Sequence, residues 1–297
     1  MRLESLALNS GIATDMAKRS APKRFLRRRG DLITLRLNGT RDSDQPSPKS
    51  QQPELTETDI FMRRLPHAFD GLSIVHLTDI HHSVYTALET VEETVHLANH
   101  LHPDLVALTG DYVTLSPSYI WPVARALGRL RARLGVFAVL GNHDFQVDAD
   151  EITRALRAQH IRVLRNSHFA LRSRGATLWL AGVDDLWWNA DDFHTALAAL
   201  PAREAKILLC HNPIGIRQAV SHGVDFVLSG HTHGGQVRLP LLGSLRGRSK
   251  LGQRFVEGWN RLDGTQIYVS RGIGNSVVPL RLNCPPEIAY LRLRRPS

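Results

Sequence analysis

Short apolar runs in this chain end repeatedly at aspartate, asparagine or histidine. The run Val136–Leu140, for example, is followed at once by Gly141-Asn142-His143-Asp144. Strands of an open α/β sheet place such side chains in the crevice beyond their carboxyl ends, where ligands bind. We therefore expect strands whose ends are neighbours at one edge of one sheet. These strands are Leu72–Leu77, Leu105–Leu108, Val136–Leu140, Ile207–Cys210 and Phe226–Leu228.

Apolar spacing between the first runs predicts helices over Thr86–Leu101, Tyr119–Leu134 and Ala149–Gln159. Strands that alternate with helices of this length are typical of βαβ units and a largely parallel sheet. The whole pattern predicts one α/β sandwich domain over residues 54–297, with a basic loop inserted at 240–262. The shorter runs Ile161–Leu164, Phe169–Leu171 and Leu178–Ala181 predict a second sheet, Asp191–Leu200 a helix, and Gln236–Leu239, Ile267–Val269 and Ile288–Leu293 later strands.

Residues 1–53 are rich in glycine, serine, proline, glutamine and charge, which predicts a basic, disordered extension. The two cysteines are too few for a disulfide framework, and we interpret them as reduced thiols. No apolar run approaches the ~18 residues of a membrane-spanning helix, and no signal peptide is recognisable. Reduced thiols and the lack of an export signal lead us to expect a cytoplasmic protein, and the net charge of +9 leads us to expect peripheral contact with the inner face of an anionic membrane. A merely solvated basic tail is the alternative.

The residues that follow the five strands are oxygen and nitrogen donors. Such donors suit borderline divalent ions rather than the soft ions that thiolates prefer. They are too many for one ion, but they suffice for two ions that share a bridging carboxylate. Within each i, i+2 pair we expect both side chains on one side of an extended segment. The blocks are Asp79-Ile80-His81, Gly110-Asp111, Gly141-Asn142-His143-Asp144, His211 and Gly230-His231-Thr232-His233.

In order and spacing, these five blocks resemble the signature of the calcineurin-like metallophosphoesterases: D-x-H, G-D, G-N-H-[DE], a lone H and G-H-x-H. The resemblance covers roughly residues 70–292 and implies a four-layer α/β/β/α sandwich with its metal site at the carboxyl ends of the strands. More narrowly, the chain is similar to the bacterial branch described as YkuE/YaeI-like. The segments that carry this narrower similarity are Val183-Asp184-Asp185, Gly234-Gly235-Gln236, Tyr268 to Gly274 and Asn283 to Glu287.

The resemblance also implies roles for single residues. Two divalent ions (Mn, Fe, Zn, Co or Ni) would be held, the first by Asp79, His81, Asp111 and His233, the second by Asn142, His211 and His231, with Asp111 bridging. His143 would be the general acid, and Asp144 would orient it. The implied reaction is attack of a metal-bridging hydroxide on a phosphodiester, pyrophosphate or phosphomonoester. A lipid-linked substrate such as UDP-2,3-diacylglucosamine is one candidate.

Substrate contacts are less defined by the sequence. The segment Arg238–Arg261 carries six basic residues and one acidic residue, so it is either a clamp for an anionic or lipid-linked phosphoester or a solvated loop. From it we select Arg238 and Arg254 as candidate substrate ligands. His82 lies either near the phosphate or on an exposed loop. Asp184 and Asp185, before Trp187-Trp188, either shape the substrate rim or cap a turn with the aromatics packed below.

Two alternatives to this function remain. The fold could serve as a non-catalytic scaffold, or the enzyme could cleave nucleic acid. Only Phe255 and Trp259 interleave the basic residues as stacking partners, which argues against nucleic acid. We infer no obligate protein partner. Many relatives carry a hydrophobic N-terminal helix or an export signal, and this sequence shows neither, which argues against membrane anchoring.

Overall fold

A computed structural model describes residues 52–239, 243–244, 254–276 and 279–296 of this chain. The predicted extension 1–53 lies outside that range except for its last two residues, and so does most of the predicted loop 240–262. In chain order the strands are β1 (Glu54–Phe61), β2 (Ser73–Leu77), β3 (Leu105–Leu108), β4 (Val136–Ala138), β5 (Arg162–Val163), β6 (Ser167–Ser173), β7 (Ala176–Gly182), β8 (Lys206–Leu209), β9 (Phe226–Ser229), β10 (Arg238–Leu239), β11 (Gly243–Ser244), β12 (Gly258–Leu262), β13 (Thr265–Val269) and β14 (Glu287–Arg294). The α-helices are α1 (Leu88–His100), α2 (Ile120–Leu127), α3 (Asn142–Val147), α4 (Ala149–Ala158), α5 (Phe193–Leu197) and α6 (Ile216–Ser221).

These strands form two sheets of six strands each and one small pair. The first sheet has the order β1-β14-β2-β3-β4-β5, and the second has the order β12-β13-β9-β8-β7-β6. Strands β2 to β5 run parallel, as do β7, β8, β9 and β13. Within each parallel set the carboxyl ends therefore lie along one edge of the sheet, where ligands of such sheets bind.

Three buried apolar clusters show how the layers pack. Strand β2 alternates its faces: Val75 belongs to the cluster shared with α1, α2 and α4, whereas Ile74 belongs to the cluster between the two sheets. Strand β9 alternates likewise, with Phe226 between the sheets and Val227 in the cluster that α5 and α6 cover. Full burial of one such side chain contributes roughly 1.5–3 kcal/mol. The layers are thus helix, sheet, sheet and helix, which confirms the predicted α/β/β/α sandwich.

The sheet assignment differs from the prediction in two respects. The five strands with polar ends do not form one sheet, because β8 and β9 pair in the second sheet with β7 and β13. Conversely, the run Ile161–Leu164, predicted for the second sheet, gives β5, which pairs with β4 in the first. Both errors have one cause: an apolar run indicates a buried strand but carries no information about which strand it pairs with.

Some element boundaries also differ from the prediction. The second helix ends at Leu127 rather than Leu134, and its C-cap residue is Gly128. Residues 258–262, predicted within the basic loop, form β12 beside β13. Strand β1 was missed because most of its residues are polar and partly exposed, although it pairs in parallel with β14. Across the described residues, no helix combines the length and apolarity needed to cross a bilayer.

Candidate metal centre

The polar ends of five strands converge at one site, although the strands belong to two sheets. Strands β2, β3 and β4 of the first sheet lead into Asp79, Asp111 and Asn142, and β8 and β9 of the second lead into His211 and His231. Cross-sheet distances show the convergence, since Asp111 Oδ2 lies 3.2 Å from His211 Nε2. The structure therefore brings together all seven side chains predicted to hold metal.

One group of ligand atoms surrounds Asp79. The Oδ1 atom of Asp79 lies 3.1 Å from His233 Nε2 and 3.8 Å from His81 Nε2. His81 Nε2 is 3.5 Å from Asp111 Oδ2 and 3.0 Å from His233 Nε2. All four residues are almost completely buried. Their atoms face one another as the ligands of one ion do, and they are the four residues predicted for the first ion.

A second group shares Asp111 with the first. Asn142 Oδ1 lies 2.8 Å from His231 Nδ1 and 3.2 Å from His211 Nε2. His231 Nδ1 and His211 Nε2 are 3.2 Å apart, and Asp111 Oδ2 completes the group. Carboxylate, amide and imidazole donors in this arrangement suit two divalent ions bridged by Asp111. The residues present therefore fit the metal pair that the sequence predicts.

The charges of the site favour a cation. Burial lowers the pKa of His211, but Asp111 and Asp79 outweigh it and raise that pKa to about 10. Burial also opposes ionisation of Asp79, yet the neighbouring His233 and His81 hold its pKa well below the usual value. Two buried carboxylates this close to each other are stable only when positive charge compensates them.

Hydrogen bonds outside the ligand set fix two of the imidazoles. His211 Nδ1 lies 2.7 Å from the carbonyl oxygen of Thr109, which can only accept, so Nδ1 carries a proton and Nε2 is the nitrogen that faces the centre. His81 Nδ1 lies 2.5 Å from Thr114 Oγ1, a hydroxyl that can donate or accept, and this contact fixes the orientation of the ring. Neither threonine belongs to the five blocks, although each lies within three residues of Asp111.

The ligand residues occupy an uncommon backbone conformation. Five of them have positive φ: Asp79 (51°), His81 (48°), Asp111 (57°), His231 (71°) and His233 (52°). Non-glycine residues adopt this region at a cost of roughly 1–3 kcal/mol, and they cluster at functional sites. The expectation that each i, i+2 pair lies on an extended segment is therefore wrong.

Glycines permit the close approach of these turns. A Cβ atom on Gly141 would overlap Asp111 Oδ1, and one on Gly230 would overlap Asp79 Oδ2. Side chains at these two positions would displace the carboxylates from the centre. At both positions glycine is therefore required because a side chain would not fit, and not because the backbone has a positive φ.

His143 lies beside the centre at the start of α3. Its ring is half-buried and stands edge-on to the His81 ring, with centroids 4.9 Å apart. Its ring nitrogen can approach the ligand atoms of His81 and Asp111 closely enough to form a third metal-capable group. Burial lowers the pKa of His143 below its usual value. This position suits either a proton donor or an additional ligand.

Asp144 does not contact the His143 ring, contrary to the prediction that it orients this imidazole. Its Oδ2 accepts hydrogen bonds from the amides of Gly141 (2.9 Å) and Asp111 (2.8 Å), and its Oδ1 accepts one from the amide of Tyr112 (2.8 Å). Burial and the charge of Asp111 raise its pKa to about 8, an effect that these amides oppose. The carboxylate instead joins the turn after β3 to the first turn of α3.

His82, one of three candidate substrate residues, is buried. Its Nδ1 lies 2.9 Å from the carbonyl oxygen of Thr86, and its ring stands edge-on to Tyr119. The interpretation of His82 as an exposed loop residue is therefore wrong.

The two candidate arginines are held by other groups. Arg238 pairs with Glu257 (2.7 Å) and donates from Nε to the carbonyl of Gly234 (2.7 Å), directly after His233. Arg254 is exposed and donates to the carbonyl of Arg261. Contact of either arginine with substrate stays a prediction.

A buried arginine that the sequence analysis missed lies behind the centre. Arg281 donates from Nη2 to the carbonyl oxygens of Gly274 (2.6 Å) and Arg271 (2.9 Å), and the same nitrogen lies 3.4 Å from His233 Nδ1. It supports the turn that carries the last predicted ligand. No motif marks this residue, because it lies 48 positions after His233 in the chain.

The turn after β7 borders the second group of ligands. Asp185 Oδ1 accepts from the amides of Trp187 (2.9 Å) and Trp188 (3.2 Å), so the predicted capped turn is present. The two indoles, however, are not packed below it, since they are 67% and 50% exposed. Trp187 stands edge-on to His231 at 5.3 Å, and Trp188 Nε1 donates to the carbonyl of Asn142 at 3.0 Å.

Comparison with known proteins shows a consistent similarity. The model of the calcineurin-like phosphoesterase family matches residues 72–235. The uncharacterized metallophosphoesterase YkuE of Bacillus subtilis is 34% identical over 245 residues, which cover 81% of this chain and 85% of YkuE. The phosphodiesterase YaeI of Escherichia coli is 34% identical over 227 residues, which cover 74% and 81%. A transmembrane protein with a metallophosphoesterase domain from Danio rerio is 31% identical over 260 residues, and the chain spans 58% of its length.

Proposed function

The chain belongs to the calcineurin-like phosphoesterase family, and from that premise we propose that it hydrolyses phosphoesters with two divalent ions held by the seven converging residues. One observation carries the proposal: Asp111 Oδ2 lies 3.5 Å from His81 Nε2 and 3.2 Å from His211 Nε2, so that one carboxylate oxygen belongs to both ligand groups. A shared carboxylate is the usual bridge in two-metal hydrolases.

Two divalent ions at this centre would neutralise the charge of a phosphate and lower the pKa of a water molecule. The chain itself supplies the fixed geometry. Asp144 holds the backbone of Asp111 and Gly141, and Thr109 and Thr114 hold the rings of His211 and His81. Such fixed positions remove the entropic cost of aligning the reacting groups.

We assign the proton transfer to His143. Its half-buried imidazole lies next to the ligand cluster without being one of the seven residues, so a phosphoester bound there would bring its leaving oxygen near this ring. A protonated imidazole that donates to this oxygen assists departure of a poor leaving group. Asp144 acts as a positioning residue, through the backbone rather than through the His143 ring.

The scissile bond is proposed to be a phosphodiester, pyrophosphate or phosphomonoester, and the substrate to be lipid-linked, for which UDP-2,3-diacylglucosamine is the model compound. Large apolar side chains on turns that follow the ligand residues support this choice. They are Tyr85 (43% exposed), Leu115 (66%) and Ile214 (45%). The net charge of +9 would favour peripheral contact with an anionic membrane, and this contact and a cytoplasmic location stay predictions.

A substrate panel with the purified full chain tests the proposed function. The protein is stripped of metal, reconstituted separately with Mn²⁺, Fe²⁺, Co²⁺, Ni²⁺ or Zn²⁺, and assayed on p-nitrophenyl phosphate, bis(p-nitrophenyl) phosphate, UDP-2,3-diacylglucosamine and an oligonucleotide. We expect metal-dependent turnover of the diester that Asp111→Asn abolishes. A protein that binds two ions per chain but turns over none of these compounds would instead be a scaffold.

A further inference from the structure

Two exposed tryptophans adjoin the metal centre. Trp187 and Trp188 are 67% and 50% exposed, whereas tryptophan in a folded chain usually buries most of its large apolar surface. They lie on the turn after β7, which none of the seven predicted ligands occupies. Their exposure therefore needs an explanation other than support of the ions.

Contacts fix both rings against the second ligand group. The Trp187 ring stands edge-on to the ring of His231, with centroids 5.3 Å apart. The indole nitrogen of Trp188 donates to the carbonyl oxygen of Asn142 at 3.0 Å. Because this N–H points into the protein, the part of Trp188 that faces solvent is apolar.

The turn that carries the rings is itself held from below. Asp185 is 1% exposed, and its Oδ1 accepts the amide hydrogens of both tryptophans. A buried carboxylate that bonds two consecutive amides restricts the backbone at these positions. The two indoles are therefore positioned before any ligand binds, which reduces the entropy lost on binding.

We propose that Trp187 and Trp188 determine specificity by packing against an apolar group esterified to the scissile phosphate, on the side of the centre formed by Asn142 and His231. The inference rests on the proposed phosphoesterase function and extends it to the substituent that the enzyme selects. The polar part of such a substrate lies at the centre, and its apolar part lies on the indoles. Both an aryl ring and an alkyl chain supply this chemistry.

The test uses p-nitrophenyl phosphodiesters that share a leaving group and differ in the second ester: methyl, hexyl or phenyl. For the metal-loaded wild-type enzyme we expect kcat/KM to be about tenfold higher for the hexyl and phenyl esters than for the methyl ester. In the double variant Trp187→Ala/Trp188→Ala the ratio of kcat/KM for the hexyl or phenyl ester to kcat/KM for the methyl ester should fall to near unity. If the double variant loses only the preference for the phenyl ester, the indoles act by ring stacking. If it loses the preference for both the hexyl and the phenyl ester, they act by general apolar packing.

Matched controls come from two tryptophans elsewhere. Trp121 (38% exposed) bonds Glu151, and Trp259 (49% exposed) bonds Gln266; Trp121→Ala and Trp259→Ala should keep the preference. Trp188→Phe keeps an apolar ring but loses the bond to Asn142, so it should keep the preference as well. A methyl-ester rate that falls as far as the phenyl-ester rate in the double variant would show that the indoles only hold Asn142 and His231, and would overturn the inference.

Binding gives a measure that does not depend on turnover. By isothermal titration calorimetry, wild-type protein should bind hexylphosphonate about tenfold more tightly than methylphosphonate, and the double variant should bind both equally. An unchanged ratio in the double variant would refute the role of the indoles. If no ester is hydrolysed but the phosphonate ratio behaves as expected, the proposed function fails while the apolar site stands.

Discussion

The Nε2 atoms of His81 and His233 lie 3.0 Å apart, although 152 residues separate the two histidines in the chain. Their rings are stacked, with centroids 4.8 Å apart and planes 27° apart. A neutral imidazole nitrogen either donates a proton or offers a lone pair, so two facing nitrogens need a shared proton or a common cation. With Asp79 Oδ1 3.1 Å from His233, a divalent ion bound here would satisfy all three groups.

This arrangement predicts that metal removal destabilises the fold. Ions present at about 1,000 times their dissociation constant stabilise a protein by about 4 kcal/mol, which corresponds to roughly 10 °C in melting temperature for a domain of this size. We expect a chelator to lower the melting temperature by about that amount, measured by differential scanning fluorimetry, and Mn²⁺ or Co²⁺ to restore it. An unchanged melting temperature after verified loss of metal would contradict the prediction.

Asp111→Asn should disrupt both ligand groups. If the amide oxygen keeps the bond to the backbone N–H of His143 (2.8 Å), the new NH₂ group faces His81 and His211, where an anion stood. We expect fewer than two bound ions per chain by mass spectrometry of metals. The loss of kcat/KM should exceed about 100-fold, the upper effect of losing a partner outside the ligand set.

Asp59→Asn is the matched control for that substitution. Asp59 lies on β1 with its side chain 42% exposed and pairs with Arg294. It should keep both ions and the wild-type rate. Normal metal content and rate in Asp111→Asn would refute the bridging assignment.

His143→Gln should keep both ions and lose proton transfer. We expect a loss of about 100-fold or more for a substrate with an alkyl leaving group, and a much smaller loss for p-nitrophenyl esters, which leave without a proton. Because burial lowers the pKa of His143, this imidazole loses its proton at a lower pH than an ordinary histidine does. The rate with the alkyl substrate should therefore fall with rising pH, and the variant should lack this dependence. Loss of one ion would identify His143 as a ligand instead.

His76 should make stability depend on pH. It is fully buried, with Nε2 2.8 Å from Thr109 Oγ1, and burial lowers its pKa from 6.5 to about 4. Between these values the unfolded chain binds the proton and the folded chain does not. The contribution of His76 to the free energy of unfolding is therefore complete above pH 6.5. It is lost as the pH falls towards 4, at about 1.4 kcal/mol per pH unit.

Urea unfolding of the metal-free protein between pH 7 and 5 measures this effect. His76→Gln should lose about 2 kcal/mol of the pH-dependent change in the free energy of unfolding. His96→Gln, at an exposed position of α1, should behave as wild type. Parallel pH profiles for His76→Gln and wild type would show that His76 does not titrate as described.

The sequence predicts the members of the site better than their geometry. Asp111 and His211 each follow an apolar run, and this pattern was enough to predict that they meet. The pattern carries no dihedral angles, so the positive φ of Asp79 could not be predicted. It also carries no strand pairing, which is why β8 and β9 were assigned to the wrong sheet.

Residues that act through the backbone were the least predictable. Asp144 was recognised as part of the motif, but its bonds go to three amides whose positions only the folded chain defines. Arg281 and the exposed Trp187 lie outside the five blocks, and their proximity to His233 and His231 follows from tertiary packing. Residue types thus predict which side chains can bind metal, whereas the residues that position those side chains are identified only in the folded structure.

The division of the ligand set between two sheets has a consequence for the core. Asp111 and Asn142 follow strands of one sheet, and His211 and His231 follow strands of the other, so the residues that would hold each ion come from both sheets. We therefore expect that a slide or tilt of one sheet over the other, caused for instance by altering Phe226 in the cluster between the sheets, would change the distances between ligand atoms at the far end of the strands. The affinity for the ions should therefore depend on how the apolar layer between the sheets packs, even when every polar residue is unchanged.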